Sequence, residues 1–305
     1  MDAKYIYKEN TMIFKGCAIN LVTPFTDTNE IDFECLEKLV KSHLDNDIGA
    51  IVLGRATGEF QAMNDDEIIS VIESVVKVVD KKIPVIVQTG FNDMARSVGL
   101  SIRAKMSGAD ALILSSPYYN HTNKHGLLNH FRAIAIASSL PCYIENDPER
   151  CGFDISTEVI ELLTVVKNIV GIIESSDDIN KFAKLKYTLP DDMELICGND
   201  KMAIPALSLG ANGYISVLAN ICPDVSVDIY KFFISGDLLS SRKLFFNYLS
   251  LIEALDLEPN PIPIKTTMNM LGYDVGEFRL PLSTMDPDKA AQIATLLMDM
   301  GIIDL

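Results

Sequence analysis

Residues 50–90, AIVLGRATGEFQAMNDDEIISVIESVVKVVDKKIPVIVQTG, hold one complete cycle of the pattern that decides the fold. AIVLG (50–54) is a short apolar run with no polar alternation, as a strand buried on both faces must be. In NDDEIISVIESVVKVV, Asn64 is followed three residues later by Glu67, a capping-box start that leads into an apolar stripe at helical spacing. PVIVQTG (84–90) is then a second buried strand.

The cycle recurs along the chain. Further strand-like runs are CAINLV (17–22), ALILSS (111–116), CYIEN (142–146), IVGIIE (169–174), ELICG (194–198) and GYISV (213–217). FECLEKLVKSHL places Phe33, Leu36, Leu39, Val40 and Leu44 on one helical stripe. Similar segments cover about 93–106, 125–138, 156–166, 178–187, 200–208 and 223–234. Eight strand–helix units in series predict a parallel sheet closed on itself, a (β/α)8 TIM barrel of the α/β class. An open doubly wound sheet is the competitor, but no Gly-x-Gly-x-x-Gly follows the first strand. Three more helical stretches, about 237–256, 262–271 and 287–300, read as C-terminal helices packed on the barrel. The expected layout is an N-terminal extension over 1–15, the barrel over 16–234 and the C-terminal helices over 235–305, one domain overall.

Composition narrows the function. The 305 residues carry 42 acidic against 26 basic side chains, a net charge of −16, which disfavours nucleic acid and anionic membrane as partners. No secretory signal or transmembrane helix is expected. No pair of the six cysteines has C-x-x-C spacing, and Cys17, Cys142 and Cys197 lie in apolar runs, which suits a soluble cytoplasmic protein. Cys151, in an expected loop, is the thiol singled out for reactivity. The four histidines avoid the strand ends and lack metal-ligand spacing, so neither a metal nor a cofactor is expected.

Barrel sites lie where strands end at their C-termini. Those positions supply Thr23; Arg55, Ala56, Thr57, Gly58 and Glu59; Thr89 and Gly90; and Ser115, Ser116, Tyr118 and Tyr119. The later strands add Glu145, Asn146 and Arg150, then Ile173 and Glu174, then Asn199, Asp200 and Lys201, and finally Ser216.

GRATGE, SPYYN, GND, GYISVLAN, EPNPIPIK and FRLPL fall in the order and spacing of the dihydrodipicolinate synthase and N-acetylneuraminate lyase family, which the chain resembles from Gly16 to about Ile302. The resemblance implies a barrel with C-terminal helices, assembled as a dimer or tetramer, and reversible aldol addition of pyruvate to an aldehyde or imine. It implies an imine between pyruvate and a lysine at the end of the sixth strand, where the protonated imine serves as an electron sink. The family pattern there resembles GIKEA, whereas this chain reads GIIES, so Ile173 stands at the lysine position. Arg55 and Ala56 replace a glycine and a relay threonine, and Glu145 aligns with a relay tyrosine, while Tyr119 matches the tyrosine that is kept. Arg150 matches the arginine that receives a substrate carboxylate, and Thr57 and Gly58 match positions that hold it.

Two readings follow. In one, the barrel is catalytically silent, Arg55 and Glu145 pair across the mouth, and Thr57, Gly58 and Arg150 still bind a small carboxylate or keto acid. In the other, altered carbon–carbon lyase or synthase chemistry runs through Lys201 or Glu145, with Tyr119 as relay. Arg55 then joins Arg150 to bind a dicarboxylate, with Asp200 and Ser216 as further substrate-binding residues.

Overall fold

The computed structural model describes residues 12–303, so most of the expected 1–15 extension lies outside the described residues. Eight strands run in parallel: β1 (Gly16–Asn20), β2 (Ala50–Leu53), β3 (Val85–Gln88), β4 (Ala111–Ser115), β5 (Cys142–Asn146), β6 (Ile169–Glu174), β7 (Glu194–Cys197) and β8 (Gly213–Ser216). They pair in sequence order, and β1 closes on β8 to complete the barrel. The continuous apolar runs are explained by this closure. Alternate residues face an inner cluster that includes Ala18, Val52, Ile86, Ile113, Tyr143, Ile173, Ile196 and Ile215. The other residues, Ile144 and Ile172 among them, pack outward against the helices.

The helices bury their apolar stripes on the sheet. In α1 (Phe33–Leu44) the buried residues are Leu36, Leu39, Val40 and His43, while Phe33, at the start of the expected stripe, is exposed. The start of α2 (Asp65–Val79) is the capping box read from the sequence: the Asn64 side chain accepts from Glu67 N, and Glu67 Oε2 accepts from Asn64 N. Then come α3 (Met94–Met106), α4 (Lys124–Ser138), α5 (Pro148–Cys151), α6 (Thr157–Leu163), α7 (Ile179–Thr188), α8 (Ala203–Ser208) and α9 (Pro223–Ser235). The single turn α5 was read as loop. Proline at its first position and the Asp147 cap, accepting from Arg150 N, are the local cause of the turn. It overturns the expectation for Cys151, which is 5% exposed with its thiol pushed up to about 12 by burial and by Glu145 and Asp147.

The C-terminal helices α10 (Leu238–Ala254), α11 (Ile262–Met270) and α12 (Pro287–Asp299) pack on one another, and α10 lies along α9. Lys265 of α11 is fully buried and donates to Glu59 Oε1 at 2.9 Å, tying this layer to the loop after β2. At the opposite end of the barrel Phe14 enters the inner cluster. Ile13 N and the Tyr143 hydroxyl both donate to the Glu194 carboxylate, each at 2.8 Å. Among the described residues no helix is long and apolar enough to cross a membrane.

Candidate active site at the barrel mouth

Strand register sets the mouth. Glu145 pairs with Ile173 and Ile173 with Ile196, so three neighbouring strands point these side chains inward at one level. Ile173 is 1% exposed. Tyr143, two residues below Glu145, also faces inward, but its hydroxyl is held by Glu194 at the barrel floor and is turned away from the mouth.

Arg55 crosses the mouth from the loop after β2. It has a positive φ of 54°, a conformation that favours glycine and that costs an L-residue about 1–2 kcal/mol. The price is met by its partners. Its N–H donates to Gln88 Oε1 at 2.9 Å, its Nε to Glu145 Oε1 at 2.5 Å and its Nη2 to Ser175 Oγ at 3.1 Å. Ser115 Oγ donates to the other Glu145 oxygen. Burial works against the Arg55 charge, but Glu145 and Asp147 outweigh it, so the guanidinium stays protonated. A methyl placed on Gly198 would meet Ile173 Cγ2 at 3.0 Å and Arg55 Nη2 at 3.1 Å, so the hydrocarbon and the cation crowd the same point. Both Glu145 oxygens are engaged by hydrogen-bond donors.

A second group forms on the β1–β2 side. Thr57 is fully buried, and its hydroxyl accepts from Asn20 Nδ2 at 2.6 Å and from Asn260 Nδ2 at 2.8 Å. Gly58 packs so closely that a Cβ there would lie 2.7 Å from the Gly54 backbone. Arg150, exposed at the rim, donates from Nη2 to Asn260 O at 3.2 Å. Asn20, Ser175 and Asn260 were not singled out from the sequence. Asn20 alone left a trace, as a polar residue in the apolar run CAINLV.

The remaining candidates stand apart. Tyr119 is 89% exposed, with φ 64°. Lys201 is bound to Asp256 at 2.9 Å; burial lowers its pKa, but Asp256 and Asp177 outweigh that and the net shift is upward. Asp200 Oδ2 accepts from Val217 N and Leu218 N, and Ser216 Oγ accepts from Ala219 N, so both brace the turn after β8. Burial raises the Asp200 pKa. A groove of about 600 Å³ lined by Glu30, Asn64, Asp66 and Glu67 lies on the flank at the start of α2, away from the mouth.

Comparison with known proteins follows the same frame. The sequence model of the dihydrodipicolinate synthetase family matches residues 13–300. The 4-hydroxy-tetrahydrodipicolinate synthase of Caldicellulosiruptor saccharolyticus is 41% identical over 290 residues, covering 95% of this chain and 98% of that protein. Synthase 1 of Clostridium acetobutylicum is 40% identical over 291 residues, covering 95% and 99%. The dihydrodipicolinate synthase structure from Thermotoga maritima superposes with a TM-score of 0.93 at 31% identity, covering 96% and 100%. The chloride-inhibited enzyme from Acinetobacter baumannii, complexed with pyruvate, does so at 0.92 and 34%, also covering 96% and 100%.

Proposed function

Because this chain belongs to the dihydrodipicolinate synthetase family, we propose that it is a family barrel that binds a small carboxylate without forming an imine. The observation that carries the reading is Ile173. The family resemblance puts the imine-forming lysine at this position, and the side chain found there is a buried branched alkane facing into the barrel. An alkane cannot condense with a ketone. The Arg55–Glu145 pair supports the reading, since it lies beside Ile173 and engages the carboxylate that aligns with the relay tyrosine. Thr57, Gly58 and Arg150 are the carboxylate-binding residues in this proposal.

The relatives are named as 4-hydroxy-tetrahydrodipicolinate synthases, which favours an active enzyme; the second reading is a synthase or lyase with altered chemistry. Lys201 would be its amine, but a lysine held protonated by Asp256 is a poor nucleophile. Assembly as a homodimer or homotetramer in the cytoplasm is part of the proposal.

Incubation with pyruvate and borohydride, followed by intact-mass measurement, tests it. No mass increase is expected. An adduct that is lost in Lys201→Ala would establish the second reading instead.

A further inference from the structure

Arg55, Gln88, Ser115 and Glu145 close a ring of hydrogen bonds in the barrel. Arg55 N donates to Gln88 Oε1 at 2.9 Å, and Gln88 Nε2 donates to Ser115 Oγ at 3.1 Å. Ser115 Oγ donates in turn to Glu145 Oε2, and Arg55 Nε donates to Glu145 Oε1. The four residues come from the loop after β2 and from β3, β4 and β5, and each is 8% exposed or less. Plugging the mouth requires the ion pair alone. The two uncharged members hold a carboxylate and a guanidinium at one separation and orientation, as preorganised chemistry requires.

Both charged groups keep capacity for a ligand. A carboxylate oxygen has two lone pairs, and the ring uses one on each Glu145 oxygen. Among the described residues Arg55 donates through its main-chain N, Nε and Nη2, while Nη1 makes no hydrogen bond and is not sealed from solvent. The guanidinium also adjoins Ile173, since a Cβ on Gly198 would meet Ile173 Cγ2 at 3.0 Å and Arg55 Nη2 at 3.1 Å. A permanent cation therefore stands beside the position at which the family forms a cationic imine.

Resting on the reading of a barrel that forms no imine, we propose that this ring enolises a bound 2-oxo acid without covalent capture. Glu145 removes a proton from the carbon next to the oxo group, and the Arg55 guanidinium holds the enolate oxygen that forms. The C–H bond breaks and an O–H bond to Glu145 forms. The C–H electron pair becomes the carbon–carbon double bond of the enolate, and the carbonyl π pair moves onto the oxygen facing Arg55. Return of a proton from Glu145 restores the ketone, so the cycle consumes nothing and exchanges that hydrogen with solvent. A protonated imine draws the electron pair through a covalent nitrogen, whereas a guanidinium stabilises it through charge and hydrogen bonds alone. Gln88 and Ser115 touch neither reacting atom and are positioning residues.

Proton NMR of pyruvate and of 2-oxobutyrate in D2O with the full chain tests this. Solvent deuterium is expected to replace the protons beside the oxo group at least about tenfold faster than in buffer alone. Glu145→Gln and Arg55→Gln should each return the rate to that of buffer. Gln88→Ala and Ser115→Ala should lower the maximal rate about fivefold or more, while the half-saturating concentration stays within about twofold, a split that simple loss of folded protein does not leave at equal folded concentration. Lys201→Ala should exchange as the parent does. Folding of each variant is checked by circular dichroism, and where a charge variant does not fold the Ser115→Ala result decides. Exchange of neither acid, or exchange indifferent to Glu145→Gln or to Ser115→Ala, would overturn the proposal. The borohydride experiment stays separate: no adduct together with no exchange sinks this inference and leaves the proposed function standing, whereas an adduct removes the proposed function itself and assigns any exchange to an imine.

Discussion

Arg55 Nε donates to Glu145 Oε1 at 2.5 Å, joining the loop after β2 to the inner face of β5 with 8% and 5% of the two side chains exposed. A buried pair of this kind is costly to break from one side, because the survivor keeps its desolvation penalty without its partner. Glu145→Ala should destabilise the protein by about 3–5 kcal/mol. The double change Arg55→Gly/Glu145→Tyr should cost less than the two single changes summed, since no charge is left behind and residue 55 is relieved of its positive φ. Urea denaturation of Glu145→Ala, Arg55→Gly, Glu145→Tyr and the double variant measures this, and strict additivity of the last three would contradict it.

An amine placed at residue 173 should not by itself give imine chemistry. Lysine in place of Ile173 would lie against the Arg55 guanidinium, in a position now 1% exposed. Ile173→Lys should lower stability and give no pyruvate adduct under borohydride. Ile173→Lys combined with Arg55→Gly and Glu145→Tyr should give one. An adduct in the single variant would show that the ion pair does not obstruct the site.

His43 should set a pH limit on stability. It is 2% exposed, neither ring nitrogen has a partner, and burial pushes its pKa down to about 4 from 6.5. The folded state therefore resists the proton that the unfolded state accepts, and stability from this group is lost as the pH falls from 6.5 towards 4. Burial also raises Glu59, Glu174, Glu194 and Asp200, which shifts stability in the opposite direction over part of that range. The difference between parent and His43→Leu isolates the histidine. That difference should move by about 2.5 kcal/mol between pH 7.5 and 4.5, in favour of the variant at low pH. A constant difference would mean that His43 binds its proton as readily in the folded protein as in the unfolded chain.

The thiols should be inert while the fold holds. Five of the six free cysteines are buried, and half-buried Cys35 has its pKa raised to about 11, by burial first and by Asp32 next. A disulfide-exchange reagent at neutral pH should label essentially none promptly and all six in guanidinium. Prompt labelling at Cys151 would contradict its burial beneath α5.

The sequence by itself determined the barrel, because buried parallel strands and amphipathic helices are written in local periodicity, each legible within about ten residues. It also determined that residue 173 carries no amine, and it raised the pairing of Arg55 with Glu145 as one of two possibilities. Only the tertiary structure decided between them, since the two residues are 90 positions apart and closure of the barrel sets their distance. The Thr57–Asn260 contact spans 203 positions, and the Asn20 oxygen is unmet only because burial removes it from water. Local pattern fixes which elements form, whereas the chemistry at the mouth depends on which side chains the closed sheet brings within hydrogen-bond reach, and no short window of sequence contains that distance.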